Sequence, residues 1–170
     1  MHWRSKRHSC SDGWPRRTWI VAGLALGLAL GVRADAVDFA VIAHADVPVD
    51  NVSMDDLHHL FGLDQRHWKN GAPVRVLLPG SGAPARDLLL GSILHMTELQ
   101  LRQMILGKIY RAEISFPPRV PGSDLEAVDY VAAAKGMIAL VPAALAADKR
   151  VHTLRVDGKR PDDPNYPLKR

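Results

Sequence analysis

An uncharged apolar run near the N-terminus, 18–32, most constrains what this 170-residue chain can fold into. Five Lys or Arg residues precede it within 2–17, and Ala34-Asp35-Ala36 follows it with the small-x-small pattern that signal peptidases cleave. The run has fifteen residues, whereas a helix needs roughly 20 to cross a bilayer. We predict a secretory signal peptide over 1–36, cleaved after Ala36, which implies a periplasmic protein with no membrane segment after cleavage. The alternatives are cleavage after Ala34 and an uncleaved membrane anchor, and the route of export, Sec or Tat, stays open.

Separating this segment changes how charge and cysteine content are interpreted. Residues 1–36 hold six of the 22 Lys and Arg and two of the 18 Asp and Glu, so residues 37–170 carry no net charge. The high isoelectric point therefore belongs to the targeting segment and does not indicate nucleic-acid binding. The single cysteine, Cys10, precedes the cleavage site, which excludes disulfides, thiolate metal sites and cysteine catalysis from the mature chain. The 134 residues after Ala36 suffice for one domain with a single core.

Short β-branched runs alternate with helical patterns along the mature chain. We predict an α/β fold over 37–158, with helices flanking a mostly parallel or mixed sheet, and a polar C-terminal tail, 159–170, that is extended or disordered. The third helix is predicted to turn Leu101, Met104, Ile105 and Ile109 inward. The predicted strands are 37–43, 74–78, 137–141 and an edge strand at 151–156; helices are predicted over 53–62, 84–95, from 97 and over 123–135.

The best candidate for a binding site is the turn between the second strand and the second helix, residues 79–86. Glycine lets the backbone approach a ligand closely, and the free N–H groups at a helix N-terminus favour an anion. Ser81 adds a hydroxyl beside Gly82 and Ala83, and Arg86 lies one turn into the helix, where it can donate two parallel hydrogen bonds to an oxyanion. The alternative is an ordinary strand-to-helix turn with Ser81 as N-cap and Arg86 in solvent.

Other chemistries find little support in the sequence. Adjacent His58 and His59 point about 100° apart on a helix and cannot both face one ion, so we predict no metal site and no cofactor. The turn is no P-loop, since it lacks a Gly-Lys-Ser/Thr end, and no nucleophile elbow, since Pro79 and Ala83 stand where that motif has glycines. We therefore expect no catalytic residues and no enzyme activity.

The order of these motifs resembles the substrate-binding proteins of phosphate ABC transporters, which have the type 2 periplasmic-binding-protein fold. The resemblance rests on residues 41–63, 79–89, 137–142 and 154–159. It implies a single periplasmic-binding-protein-like lobe and a solute-binding protein related to phosphate uptake. By this resemblance Ser81, Gly82 and the backbone of Ala83 would contact phosphate or a similar small oxyanion.

The sequence departs from the family pattern at three points. Ala83 replaces a threonine, and Leu77 stands where a basic residue is expected, four positions before the serine. The chain is also about half the family's usual length, so one lobe would leave the anion partly solvated. Arg86 can compensate for the basic residue that Leu77 replaces. This role is inferred from the present sequence and not from the family pattern. The second hypothesis is therefore an adaptor or sensory module that binds no ligand and whose partner is another envelope protein, such as a porin, a sensor or a transporter component.

Overall fold

A computed structural model describes residues 38–169 of the chain. The predicted signal peptide and its cleavage site after Ala36 lie outside the described residues. Within that range no helix combines the length and the apolar character needed to cross a bilayer.

The core of the fold is a four-stranded mixed sheet, ordered β3-β4-β1-β5. β1 pairs antiparallel with both β4 and β5, whereas β3 and β4 are parallel. A two-stranded parallel ladder joins β2 to β6. The prediction of a mixed α/β fold is confirmed. The strands are β1 (Phe39–Ala43), β2 (Asn51–Val52), β3 (Arg75–Leu77), β4 (Met137–Pro142), β5 (His152–Thr153) and β6 (Arg155–Val156).

The helices begin at residues that the sequence marks as caps. Ser53 and Thr97 each form a capping box with the residue three positions later, Asp56 and Gln100, and the Ser123 side chain accepts from the Glu126 amide. These bonds satisfy backbone donors that a helix start leaves free. The α-helices are α1 (Met54–Phe61), α2 (Pro84–Leu88), which continues as a π-helix (Leu89–Leu94), α3 (Glu98–Tyr110) and α4 (Asp124–Ala133); a 3₁₀-helix spans Ala143–Ala147.

Side chains alternate across β1 and β4, so each strand contributes to two apolar clusters. Val41 and Leu140 belong to the larger cluster, which includes Phe61 of α1 and Leu89 of the π-helix. Ile42, on the opposite side of β1, belongs to the cluster that packs against α4. Both faces of the sheet are therefore covered by helices.

The predicted edge strand at 151–156 is wrong as a single element. His152 and Thr153 pair with β1, whereas Arg155 and Val156 pair with β2. Leu154, between them, is fully buried. The chain therefore changes sheets at Leu154, which a pattern of alternating residues could not distinguish from one continuous strand.

The polar C-terminal tail, predicted to be extended or disordered, packs on the core through two buried side chains. Tyr166 and Leu168 are 3% and 0% exposed and belong to the larger apolar cluster. The Phe39 amide donates to the Leu168 carbonyl at 3.2 Å, which holds the backbone of this segment against β1. Two apolar residues are enough to anchor a segment that its composition marks as polar.

The third helix presents a different face from the one predicted. Leu101 is buried and Met104 and Ile105 are partly buried, but Ile109 is 40% exposed. Lys108 is buried instead, because its ammonium donates to the carboxylate of Asp64. The ion pair turns a charged side chain inward and the neighbouring isoleucine outward.

Candidate functional site

The loop between β3 and α2 has a backbone that can approach a ligand. Gly82 adopts a left-handed conformation with φ +82°, and Pro84 occupies the first turn of α2 after Ala83, whose side chain forms no cap. The Ala83 amide donates back to the Gly80 carbonyl at 3.1 Å. Within residues 38–169, the amides of Ser81 and Gly82 donate to no protein acceptor. Two adjacent donors are thus available to solvent or to an anion.

A cleft of about 300 Å³ lies along this loop, at the carboxyl end of β3 and beside Ala139 and Leu140 of the parallel strand β4. A Cβ placed on Gly80 or Gly82 would meet nothing within 4 Å, so no side chain fills the space beside these glycines. The far wall is the start of α4, residues 121–124. Clefts at the carboxyl ends of parallel strands are common ligand sites in α/β proteins. The cleft is therefore a candidate ligand site.

Arg86 lies beside the loop, but its donors already have partners. The side chain is 6% exposed, and Nε and Nη2 donate to Oε2 and Oε1 of Glu98, each at 3.0 Å. Nη1 donates to the Pro79 carbonyl at 3.3 Å. The expected geometry of two parallel hydrogen bonds is present, but the oxyanion that receives them is a carboxylate of the same chain.

Ser81 contacts the same carboxylate. Its Oγ donates to Glu98 Oε1 at 3.4 Å, and Arg102, one turn along α3, donates to that oxygen at 3.3 Å. The hydrogen bonds from Arg86 outweigh the effect of partial burial and lower the pKa of Glu98 below its ordinary value. At neutral pH Glu98 is therefore an anion held where the donors of Ser81 and Arg86 converge.

The four predicted residues lie close together, Ser81, Gly82 and Ala83 in the loop and Arg86 in α2, but they do not face one common space. Ala83 lines the cleft, whereas Ser81 and Arg86 meet around Glu98. Arg86 is not in solvent, since its donors are bonded to Glu98 and to the Pro79 carbonyl. Ser81 is not the N-cap of α2, a position that Ala83 takes. Glu98 was not among the residues predicted from the sequence. The sequence feature that could have indicated Glu98 is the short connection between the π-helix and the Thr97 cap, because it places the start of α3 beside this loop.

The histidines that the sequence analysis considered as metal ligands have other contacts. His58 Nδ1 lies 2.8 Å from the Ile93 carbonyl, and His59 lies near Asp55 and Asp64 on an exposed surface. No three His, Cys, Asp or Glu residues among those described are grouped so that they could hold a metal ion.

No protein-family model matches the chain, and no curated protein matches its sequence. Solved structures do match. PstS from Borrelia burgdorferi aligns with a TM-score of 0.61 at 15% identity, over 78% of this chain and 54% of that one. An ABC-type phosphate transport receptor from Vibrio cholerae aligns with a TM-score of 0.57 at 12% identity, over 74% of this chain and 50% of that one.

A phosphate ABC transporter substrate-binding protein from Clostridium perfringens, solved with bound phosphate, gives a TM-score of 0.57 at 16% identity over 74% of this chain and 48% of that one. The chain thus spans about half the length of the structures it matches. The resemblance inferred from the motifs is confirmed for the fold: the described residues have the mixed α/β fold of a periplasmic-binding-protein lobe, as found in about half of each phosphate-binding neighbour.

Proposed function

We propose that this protein is an exported solute-binding module, and not an enzyme, that takes phosphate or a similar small oxyanion at the loop 79–86. The observation that carries the proposal is the Glu98 carboxylate, on which the donors of Arg86 and Ser81 converge. A carboxylate is itself an oxyanion, so its position marks where these donors favour negative charge. The unpaired amides of Ser81 and Gly82 add two further donors.

Capture in this site is an exchange of one anion for another and involves no covalent step. An incoming oxyanion takes the donors of Ser81 and Arg86 while the Glu98 side chain turns outward. Glu98 keeps Arg102 as a partner when it moves, and its side chain is already 32% exposed. Because the anion must displace an internal competitor, affinity is lower than the donors alone would provide.

Titration calorimetry of the purified protein with phosphate and with sulfate tests the proposal. We expect saturable binding that Ser81→Ala weakens about fivefold, in line with the roughly 1 kcal/mol of one hydrogen bond. Glu98→Gln should tighten binding by about tenfold, since it removes the charge that competes for Arg86 and leaves an amide of nearly the same size. The opposite directions of these two effects separate ligand binding from general damage to the fold.

Ser92→Ala is the matched control, because Ser92 is an exposed serine that lines no part of the cleft. It should leave the affinity unchanged. Absence of saturable heat at about 10 mM of either anion, in both the parent protein and Glu98→Gln, would contradict anion binding.

A second candidate function is protein binding without a solute, in which the Arg86–Glu98 pair is purely structural. The observation that favours it is an apolar stripe on α3, formed by Leu99, Leu106, Ile109 and Tyr110, whose exposures run from 40% to 86%. Exposed apolar stripes of this kind mark interaction surfaces. The partner would be another envelope protein. A silent calorimetric titration of both the parent protein and Glu98→Gln would favour this candidate.

Export to the periplasm is part of the proposal and has its own test. N-terminal sequencing of the protein released from a bacterial periplasm should return Val37 as the first residue, because cleavage is expected after Ala36. A start at Asp35 would indicate the alternative cleavage after Ala34. An intact N-terminus in the membrane fraction would contradict cleavage and indicate an anchor.

A further inference from the structure

A second cleft, of about 530 Å³, lies beside β5 and shares no lining residue with the loop 79–86. β5 is the last strand of the four-stranded sheet, so within residues 38–169 no strand pairs with its other edge. The cleft lies between β5, the 3₁₀-helix Ala143–Ala147 and residues 160–162. Its volume is in the range of small-molecule sites, roughly 300–1,000 Å³.

The wall formed by β5 offers backbone groups to a ligand. The Leu154 amide donates to the Val41 carbonyl at 2.9 Å, and hydrogen bonding alternates along an antiparallel strand. The N–H and C=O of Thr153 therefore point away from β1. The Thr153 hydroxyl donates to the Ala146 carbonyl at 2.7 Å, which holds the small apolar residues of the 3₁₀-helix beside the strand. One wall is thus polar and the adjoining one is apolar.

Charged groups of both signs line the cleft without neutralising one another. Arg155, Arg160 and Asp162 are exposed, and among the described residues their side chains form no ion pair and no hydrogen bond. His152 Nε2 lies 3.0 Å from Asp50 Oδ1 without hydrogen-bond geometry, so these two groups already face each other. Two guanidinium groups and a carboxylate therefore remain available to groups of opposite charge on a ligand.

We propose that this cleft is a second ligand site, which takes a small zwitterion of the α-amino-acid class. Arg155 and Arg160 would receive the carboxylate, since the planar guanidinium matches it with two hydrogen bonds. Asp162 would receive the ammonium group, and the 3₁₀-helix would pack against an apolar side chain. This inference does not depend on oxyanion binding at the loop 79–86.

Amide chemical shifts of the ¹⁵N-labelled protein test the site, with each of the twenty standard amino acids at about 10 mM as the probe. We expect at least one to shift the amides of Thr153 and Arg155 saturably, while those of Ser81 and Gly82 stay in place. The N-acetyl and carboxamide derivatives of that amino acid each lack one charge. Each should bind at least about tenfold more weakly, because a charge-assisted hydrogen bond is lost.

Variants locate the binding groups. The double variant Arg155→Gln and Arg160→Gln, and separately Asp162→Asn, should each weaken binding about tenfold, whereas Lys149→Gln, an exposed lysine outside the cleft, should not. All four altered side chains are exposed, so the fold should persist in every variant. The proposal is overturned if no amino acid gives saturable shifts, if both derivatives bind as well as the parent compound, or if the cleft variants behave like Lys149→Gln.

Discussion

Leu168→Ala is expected to lower the free energy of unfolding by about 2–5 kcal/mol, the range for removing a fully buried leucine side chain from a core. Leu168 is 0% exposed and belongs to the larger apolar cluster, although it lies in a polar segment and only two residues follow it in the sequence. Its backbone carbonyl also accepts from the Phe39 amide, so the leucine holds the C-terminal segment against β1. Urea denaturation followed by circular dichroism measures the change.

Leu125→Ala provides the matched control, because the same side chain is 65% exposed on α4. We expect it to change the free energy of unfolding by less than about 0.5 kcal/mol. Equal effects of the two substitutions would mean that the C-terminal segment does not pack on the core.

Gly136→Ala is expected to destabilise the protein by more than about 2 kcal/mol, through two independent causes. Gly136 has φ +71°, a conformation that is unfavourable for alanine. A Cβ at this position would also lie 2.2 Å from the Pro73 carbonyl oxygen, which is backbone and cannot turn aside. The Gly136 carbonyl accepts from Trp68 Nε1 and from the Arg75 amide, so any shift that relieves the clash disturbs these bonds.

Gly158→Ala isolates the conformational part of this effect. Gly158 has a similar φ of +77°, but a Cβ there would meet nothing within 4 Å. We expect a loss of about 1 kcal/mol, from backbone strain alone. Thermal or chemical denaturation of both variants gives the difference, and equal losses would show that the approach of Pro73 to Gly136 has no energetic consequence.

Local chemistry made much of the fold predictable. The helix starts predicted at 53, 97 and 123 coincide with the caps Ser53, Thr97 and Ser123, because a side-chain oxygen reaches an amide two or three positions ahead regardless of what surrounds the helix. The buried strands were identified from short β-branched runs, which fit a sheet covered on both faces. The predictions were wrong where the conformation of a segment depended on pairing with residues distant in the sequence. Leu154 is an example, since it lies between strands that belong to different sheets.

In the candidate site, too, local features were predictable from the sequence and contacts between distant residues were not. The sequence predicted that Ser81 and Arg86 would lie together beside a strand-to-helix turn, since they are five residues apart in one local structure. Glu98 is twelve residues beyond Arg86, and only the path through the π-helix and the Thr97 cap returns it to the guanidinium. The tertiary structure therefore decides whether Arg86 faces an anion, solvent or a carboxylate of its own chain.

By itself the sequence determined the α/β class, the starts of three helices and the loop where an anion is expected, because these depend on interactions within a few residues. The tertiary structure alone decided three matters: that Glu98 occupies the donors of Arg86, that Lys108 is buried while Ile109 is exposed, and that Leu168 belongs to the core. Each depends on residues far apart in the chain. The free energies of burial and of ion pairing are set by tertiary contacts, which the composition of a local segment does not reveal.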